Sequence, residues 1–232
     1  MAPLPTVLVP GLYATPRLFF GQLPALWRCG PVMVADTARG ATLDAIAAEI
    51  LATAPPRFAL CGSSMGGAVA LAIMRAAPER VERLALLSTT AQADSEEAKQ
   101  IRRGAIDALR AGQLDTLSAA SFPMLVDPLR EDDAELQAVT RDMLGTVGAE
   151  AALRQVEAYM NRPDARDGLG AIAVPTLVLV GEADRLTPVA RAQELHAGIA
   201  GSELVVLEEC GHLSALEQPA TVTAALVRWR AG

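Results

Sequence analysis

The sequence predicts an α/β fold: a mostly parallel six-stranded sheet with helices on both faces and a helical insertion folding back over it. Three observations predict it. Four short apolar runs begin at Thr6, Val32, Phe58 and Leu84, a constant spacing of 26 residues. That interval holds a loop, a helix and a return, which is the length of a parallel βαβ crossover. Two further runs, Thr176–Val180 and Glu203–Leu207, resume the pattern after an interval of 88 residues. The chain has 232 residues, 51% of them hydrophobic, enough for one core-rich domain with an insertion rather than two independent domains.

Taken in order, the strands are Thr6–Val9, Val32–Ala35, Phe58–Cys61, Leu84–Leu87, Thr176–Val180 and Glu203–Leu207. Thr15-Pro16 places a proline where a first helical turn tolerates one. Leu43, Ile46, Ala47 and Ile50 form one apolar stripe, with Thr42 as its N-cap. Met65–Ala76 forms another, stopped by Pro78. In the long interval, helical stretches near Ser95–Arg110, Asp132–Leu144 and Glu150–Met160 are separated by PMLVDP and GTVG. Thr187-Pro188 opens a helix over Val189–Ile199, and Gln218-Pro219 opens another. No linker composition marks a boundary. Residues 1–88 and 171–232 are therefore expected to form the core, and residues 89–170 a cap within one domain.

Composition narrows the function. Aromatic residues make up 3% of the chain, so Ala, Val and Leu must build the core. The net charge of -7 and the absence of a basic stripe argue against a nucleic-acid partner. Cys29, Cys61 and Cys210 sit at unrelated spacings, which suits neither a disulfide framework nor a structural zinc site. Two histidines are too few for a His-rich metal centre, and no cofactor is implied. The N-terminal MAPLPTVLVP lacks a basic region and a long apolar run, and no 18-residue apolar stretch offers a membrane span. A cytoplasmic protein without a membrane partner is expected; the oligomeric state stays open.

The third strand runs into Gly62-Ser63-Ser64-Met65-Gly66, which fits G-x-S-x-G between a strand and a helix. That template places a nucleophile at Ser64 on a strained turn, with the positive end of the next helix beneath it. A phosphate loop is disfavoured, because no lysine follows the glycines and the run does not fit G-x-G-x-x-G. A serine nucleophile needs a base, and the base needs an orienting carboxylate. The fifth strand is followed by GEADRLTP and the sixth by EECGH, which supply Asp184 and His212 at C-terminal strand ends. Glu182 is the rival acid. His196 is assigned to a solvated helix face, and Cys210 to a small buried residue. The N–H of Met65, next to the nucleophile, and that of Leu12, presented by a turn at Gly11, are the expected oxyanion donors.

With these residues in hand, the chain resembles a small member of the α/β-hydrolase superfamily. The resemblance runs nearly throughout: the VPG loop, Asp36-Thr37-Ala38-Arg39-Gly40, the GSSMGG elbow, PTLVLVGEADRLTP and CGHLSALEQP. Two departures stand out. Pro10-Gly11 replaces the His-Gly of many relatives, and the first strand is the one usually third in larger relatives. The resemblance implies a Ser64–His212–Asp184 triad acting on a small ester or lactone through an acyl-enzyme. Ser64 sets the chain apart from epoxide hydrolases and haloalkane dehalogenases, which carry an aspartate there. Carboxylesterases, enol-lactonases of the 3-oxoadipate type, C–C bond hydrolases and cofactor-free perhydrolases remain, as does a non-catalytic binding descendant. RQVEAYMNRPDARDGLGAIAVPTL is similar to the enol-lactonase-like group. The insertion is expected to shape the acyl pocket, with Phe122, Met124, Leu125, Met143, Tyr159 and Met160 as lining, and Arg154 or Arg162 to meet a substrate carboxylate.

Overall fold

The computed structural model describes residues 3–231. Six strands, β1 (Thr6–Val9), β2 (Val32–Val34), β3 (Phe58–Ser63), β4 (Val81–Leu87), β5 (Thr176–Gly181) and β6 (Glu203–Leu207), form one sheet. Their order is β2-β1-β3-β4-β5-β6, and every neighbouring pair is parallel. Every residue of β1, β3 and β5 is buried, as continuous apolar strands covered on both faces must be. The edge strands β2 and β6 are only partly buried.

Alternation along the strands sorts the core into two layers. Val7, Val9, Leu60, Leu84, Leu86, Val178 and Val180 face α2 (Leu43–Thr53), α3 (Met65–Ala76) and α7 (Val189–Gly198). Leu8, Ala59, Cys61, Ala85, Leu87, Leu177 and Leu179 face α1 (Leu23–Cys29) and α9 (Pro219–Ala231). Capping starts α2 as expected, with the Thr42 hydroxyl accepting from the Ala45 N–H at 3.1 Å. Helix α3 is buried from Met65 to Met74, which explains why that run carries no polar face.

Between β4 and β5 lie α4 (Glu96–Arg110), α5 (Leu114–Leu125) and α6 (Ala134–Met160). They share a small apolar centre of Ile106, Leu109, Leu144, Ala152 and Val156. Helix α6 is interrupted at Gly148, where φ is 76° and ψ 159°, so the GTVG run does break it. The insertion also joins both layers beneath it, Ala158 and Tyr159 on one side and Met143 on the other.

Three differences from the sequence reading have plain causes. Helix α5 runs through Pro123, which the sequence reading places in a separator; the proline sits two residues from the end, where one lost N–H bond is tolerated. Helix α1 is a short element that was not anticipated, its Leu26 packing beneath α9. Strand β4 begins at Val81 rather than Leu84, because Val81 and Arg83 pair with Phe58 and Ala59 across a register shift.

Candidate active site

Register brings the strand ends level: Val9 lies opposite Gly62, Ser63 opposite Leu87, Leu87 opposite Leu179, and Gly181 opposite Leu207. The sheet reverses its direction of growth between β1 and β3. Ligand crevices of open α/β sheets lie at such a switch point, outside the carboxyl ends of the strands.

Ser64 links β3 to α3 with φ 54° and ψ -120°, a conformation costing of order 1–3 kcal/mol for a residue with a Cβ. Its surroundings hold it there. The Ser64 N–H donates to Leu87 O at 2.9 Å, and the Thr89 hydroxyl donates to Ser64 O at 2.7 Å. The flanking glycines are needed for space. A Cβ on Gly62 would lie 2.2 Å from Gly66 O, and one on Gly66 only 2.0 Å from Val9 O. Gly11 sits against the serine itself, where an added Cβ would come within 3.1 Å of Ser64 Cβ.

The histidine loop after β6 places His212 Nε2 2.8 Å from Ser64 Oγ and Nδ1 2.9 Å from Asp184 Oδ2. With Nδ1–H donating to the carboxylate, Nε2 is left to accept from the serine hydroxyl. His212 is 4% exposed and Asp184 3%, while Glu182 faces solvent. Asp184 Oδ1 accepts from the N–H of Leu186 at 3.0 Å and of Thr187 at 2.8 Å, and Oδ2 accepts from the Thr187 hydroxyl at 2.8 Å. Burial alone would push the Asp184 carboxyl up. The charge and hydrogen bond of His212, with the Thr187 donors, hold it below its ordinary value. Among the described residues, the N–H groups of Leu12 and Met65 donate to no acceptor in the chain.

The proposed lining residues are placed more diversely. Phe122 and Met143 are buried, Met124 is exposed, and the Leu125 carbonyl accepts from the N–H of both His212 and Leu213 at 3.0 Å. Tyr159 is buried beneath the guanidinium groups of Arg102 and Arg162, 4.4 and 3.9 Å from its ring centre. Arg162 is itself paired with Asp94 at 2.7 Å, so its charge is engaged inside the insertion. Arg154 donates to Ala38 O at 3.2 Å and to Glu150 at 2.6 Å. Met160 packs against the insertion's apolar centre. His196 is exposed and pairs with the Ser202 hydroxyl at 2.8 Å. Cys210 is buried, which pushes its thiol up to about 12.

Two contributors escaped the sequence reading. Thr187 follows Asp184 by three residues, the spacing at which an aspartate commonly receives the N–H groups of its own turn. Glu217, on the single turn α8 (Ser214–Glu217), is buried beneath the histidine loop. Among the described residues no group of three or more His, Cys, Asp or Glu could hold a metal ion, and no helix is long and apolar enough to cross a membrane.

Known proteins share this arrangement of strands and helices. The protein of Neisseria meningitidis serogroup B named pimeloyl-[acyl-carrier protein] methyl ester esterase is 29% identical over 251 aligned positions, covering 95% of this chain and 90% of that protein. A thermophilic esterase from Thermogutta terrifontis superposes with a TM-score of 0.88 at 29% identity, over 98% of this chain and 89% of that one. An enol-lactonase from Burkholderia xenovorans does so with a TM-score of 0.88 at 26% identity, over 100% and 92%. The family described as Serine aminopeptidase, S33, matches residues 33–219, and the chain belongs to that family, within the α/β-hydrolase superfamily.

Proposed function

We propose that the protein is a serine hydrolase of small carboxylic esters or lactones, working through an acyl-enzyme under a cap formed by residues 89–170. The observation that carries this reading is the continuous relay from Ser64 Oγ through the His212 ring to the buried Asp184 carboxylate. The esterase and enol-lactonase names of its relatives support the choice of bond.

In the proposed reaction Ser64 Oγ attacks the substrate carbonyl carbon while its proton passes to His212 Nε2. The carbonyl oxygen becomes an oxyanion and takes hydrogen bonds from the free N–H groups of Leu12 and Met65; one such donor is typically worth about 10²–10³ in rate. His212 returns the proton to the departing alkoxide, leaving the acyl group on Ser64. A water then gives a proton to Nε2, adds to the acyl carbon, and releases the acid as the proton returns to Ser64. Asp184 stays ionised throughout and holds the imidazolium that forms twice in each cycle.

The test is hydrolysis of p-nitrophenyl acetate, butyrate and octanoate by wild type and Ser64→Ala, with mass spectrometry after a fluorophosphonate probe. Turnover lost in the variant, with one adduct on Ser64 in the wild type, is the expected result. A labelled Ser64 without ester turnover would point instead to a lactone, a C–C substrate or peracid formation. No label and no turnover in folded protein would overturn the hydrolase reading.

A further inference from the structure

Every backbone N–H of the segment that carries His212 is spoken for by only two acceptors. Gly211 N–H donates to Glu217 Oε2 at 3.0 Å, and Leu213 N–H to Glu217 Oε1 at 3.1 Å. The His212 N–H goes to Leu125 O, which the Leu213 N–H also reaches. Glu217 Oε2 takes a third donor, the N–H of Asp127, at 2.8 Å. Leu125 ends α5, and Asp127 lies two residues beyond it. The two segments also touch directly. A Cβ on Gly211 would lie 2.4 Å from the Val126 carbonyl carbon and 2.5 Å from Asp127 N.

Glu217 is 8% exposed. Burial pushes its carboxyl up, and the N–H groups of Asp127, Gly211 and Leu213 together with the charge of Arg130 pull it part of the way back. A carboxylate in such a place is costly to desolvate, and three directed N–H bonds are what offset that cost. The bond from Leu213, the residue before α8, also caps that turn, and the other two reach outside it. Together the three fix two peptide groups flanking one imidazole, and one peptide group of the insertion.

We propose that Glu217 is a positioning residue for His212, and that it works by fastening the histidine loop to the end of α5, so that the insertion mounts the base as well as covering the serine. The role rests on the reading of His212 as base. The bonds from Nε2 to Ser64 and from Nδ1 to Asp184 constrain the ring only at its two nitrogens. The N–H groups of the backbone from which the ring starts are held by Glu217 and Leu125, while the Ala183 N–H holds the Cys210 carbonyl just before them.

The experiment compares wild type with Glu217→Gln and Glu217→Asp. In Glu217→Gln one oxygen becomes an amide that faces N–H donors: at Oε2 it takes the acceptor from Asp127 and one of two from Gly211, and at Oε1 one of two from both Gly211 and Leu213. Kinetics on p-nitrophenyl butyrate should show kcat falling about 10- to 100-fold with KM within about twofold, since a small displacement of a catalytic group costs rate rather than binding. Two histidines make the chain suited to imidazole NMR. The Nδ1–H resonance of His212 should shift or broaden in Glu217→Gln while His196 stays unchanged, and Glu217→Asp should restore part of both kcat and the resonance.

A second pair isolates the link to α5. Asp127 has φ -59°, a value proline shares, so Asp127→Pro keeps the backbone angle while its ring takes the place of the N–H and displaces the Glu217 carboxylate that the N–H held. Asp127→Ala keeps the N–H and loses only the side chain, whose Oδ1 accepts from the Leu129 N–H. The proline variant should lower kcat and disturb the resonance, and the alanine variant should do neither. Wild-type kcat and an unmoved His212 resonance in folded Glu217→Gln would overturn the proposal, as would equal behaviour of the Asp127 pair should that variant not fold. Absence of turnover in wild type would count against the proposed reaction, and the resonances would still decide for or against Glu217.

Discussion

Asp184 shows how a single side chain is prepared by its neighbours. It is buried, yet its carboxyl is held below the ordinary range by His212 and by donors of its own turn. Its stabilising contribution is therefore complete above the unfolded value of about 4 and is lost as pH falls through the lower folded value. Melts recorded from neutral pH into the acid range should show wild type losing stability more steeply than Asp184→Asn; parallel curves would mean the carboxylate is not so coupled. In the same variant kcat should fall by about 10³–10⁴, because an amide at this position favours the wrong ring tautomer. Ser64, Asp184 and His212 were legible because each follows the end of a strand and carries a group that the proposed reaction would need from it. Glu217 was not: a glutamate in a short helical turn reads as a solvated face, and only the path of the chain around it shows the three N–H groups converging.

The junction of β3 with α3 is an element whose glycines have different reasons to be there. At Gly66 a methyl group would meet the backbone oxygen of Val9 at 2.0 Å, and neither side can give way. Gly66→Ala should cost about 3 kcal/mol or more. Gly104, inside α4, has open space around it, and Gly104→Ala should stabilise by about 0.5–1 kcal/mol through the helix preference for alanine. Urea denaturation of the two variants checks both signs, and similar values would remove the distinction. Strands were readable here as apolar runs closed by turn residues. Helix α5 was hidden by Pro123, and the start of β4 by the polar Glu82 and Arg83, of which Arg83 pairs with Ala59 and Glu82 falls at the register shift.

At the scale of the whole molecule, the two ends of the insertion are clasped together by charge as well as by apolar packing. Asp94 and Arg162, whose side chains are 3% and 5% exposed, form a pair between the chain entering α4 and the chain leaving α6. Arg102 also meets Asp94. Arg162→Met would leave Asp94 short of its most buried partner and should cost about 3–5 kcal/mol in chemical denaturation. A loss below 1 kcal/mol would mean Arg102 suffices. The regular crossovers made the sheet legible, but how the insertion fastens depends on contacts between residues tens of positions apart, which periodicity does not record. The strand order has a consequence for synthesis. Once β3 has docked on β1, each later strand adds to the outer side of the one before, so the growing polypeptide can extend its sheet without dismantling anything. His212 arrives after the last strand, and α9 then ties the far end to the beginning through Arg230, which donates to the Thr6 hydroxyl at 2.9 Å. A nascent chain on the ribosome would thus carry Ser64 before its hydrogen-bond partner His212, and on the proposed reaction that serine would be inert. In refolding, fluorophosphonate labelling of Ser64 should trail the fluorescence of buried Trp229, making reactivity the final signal that assembly is complete.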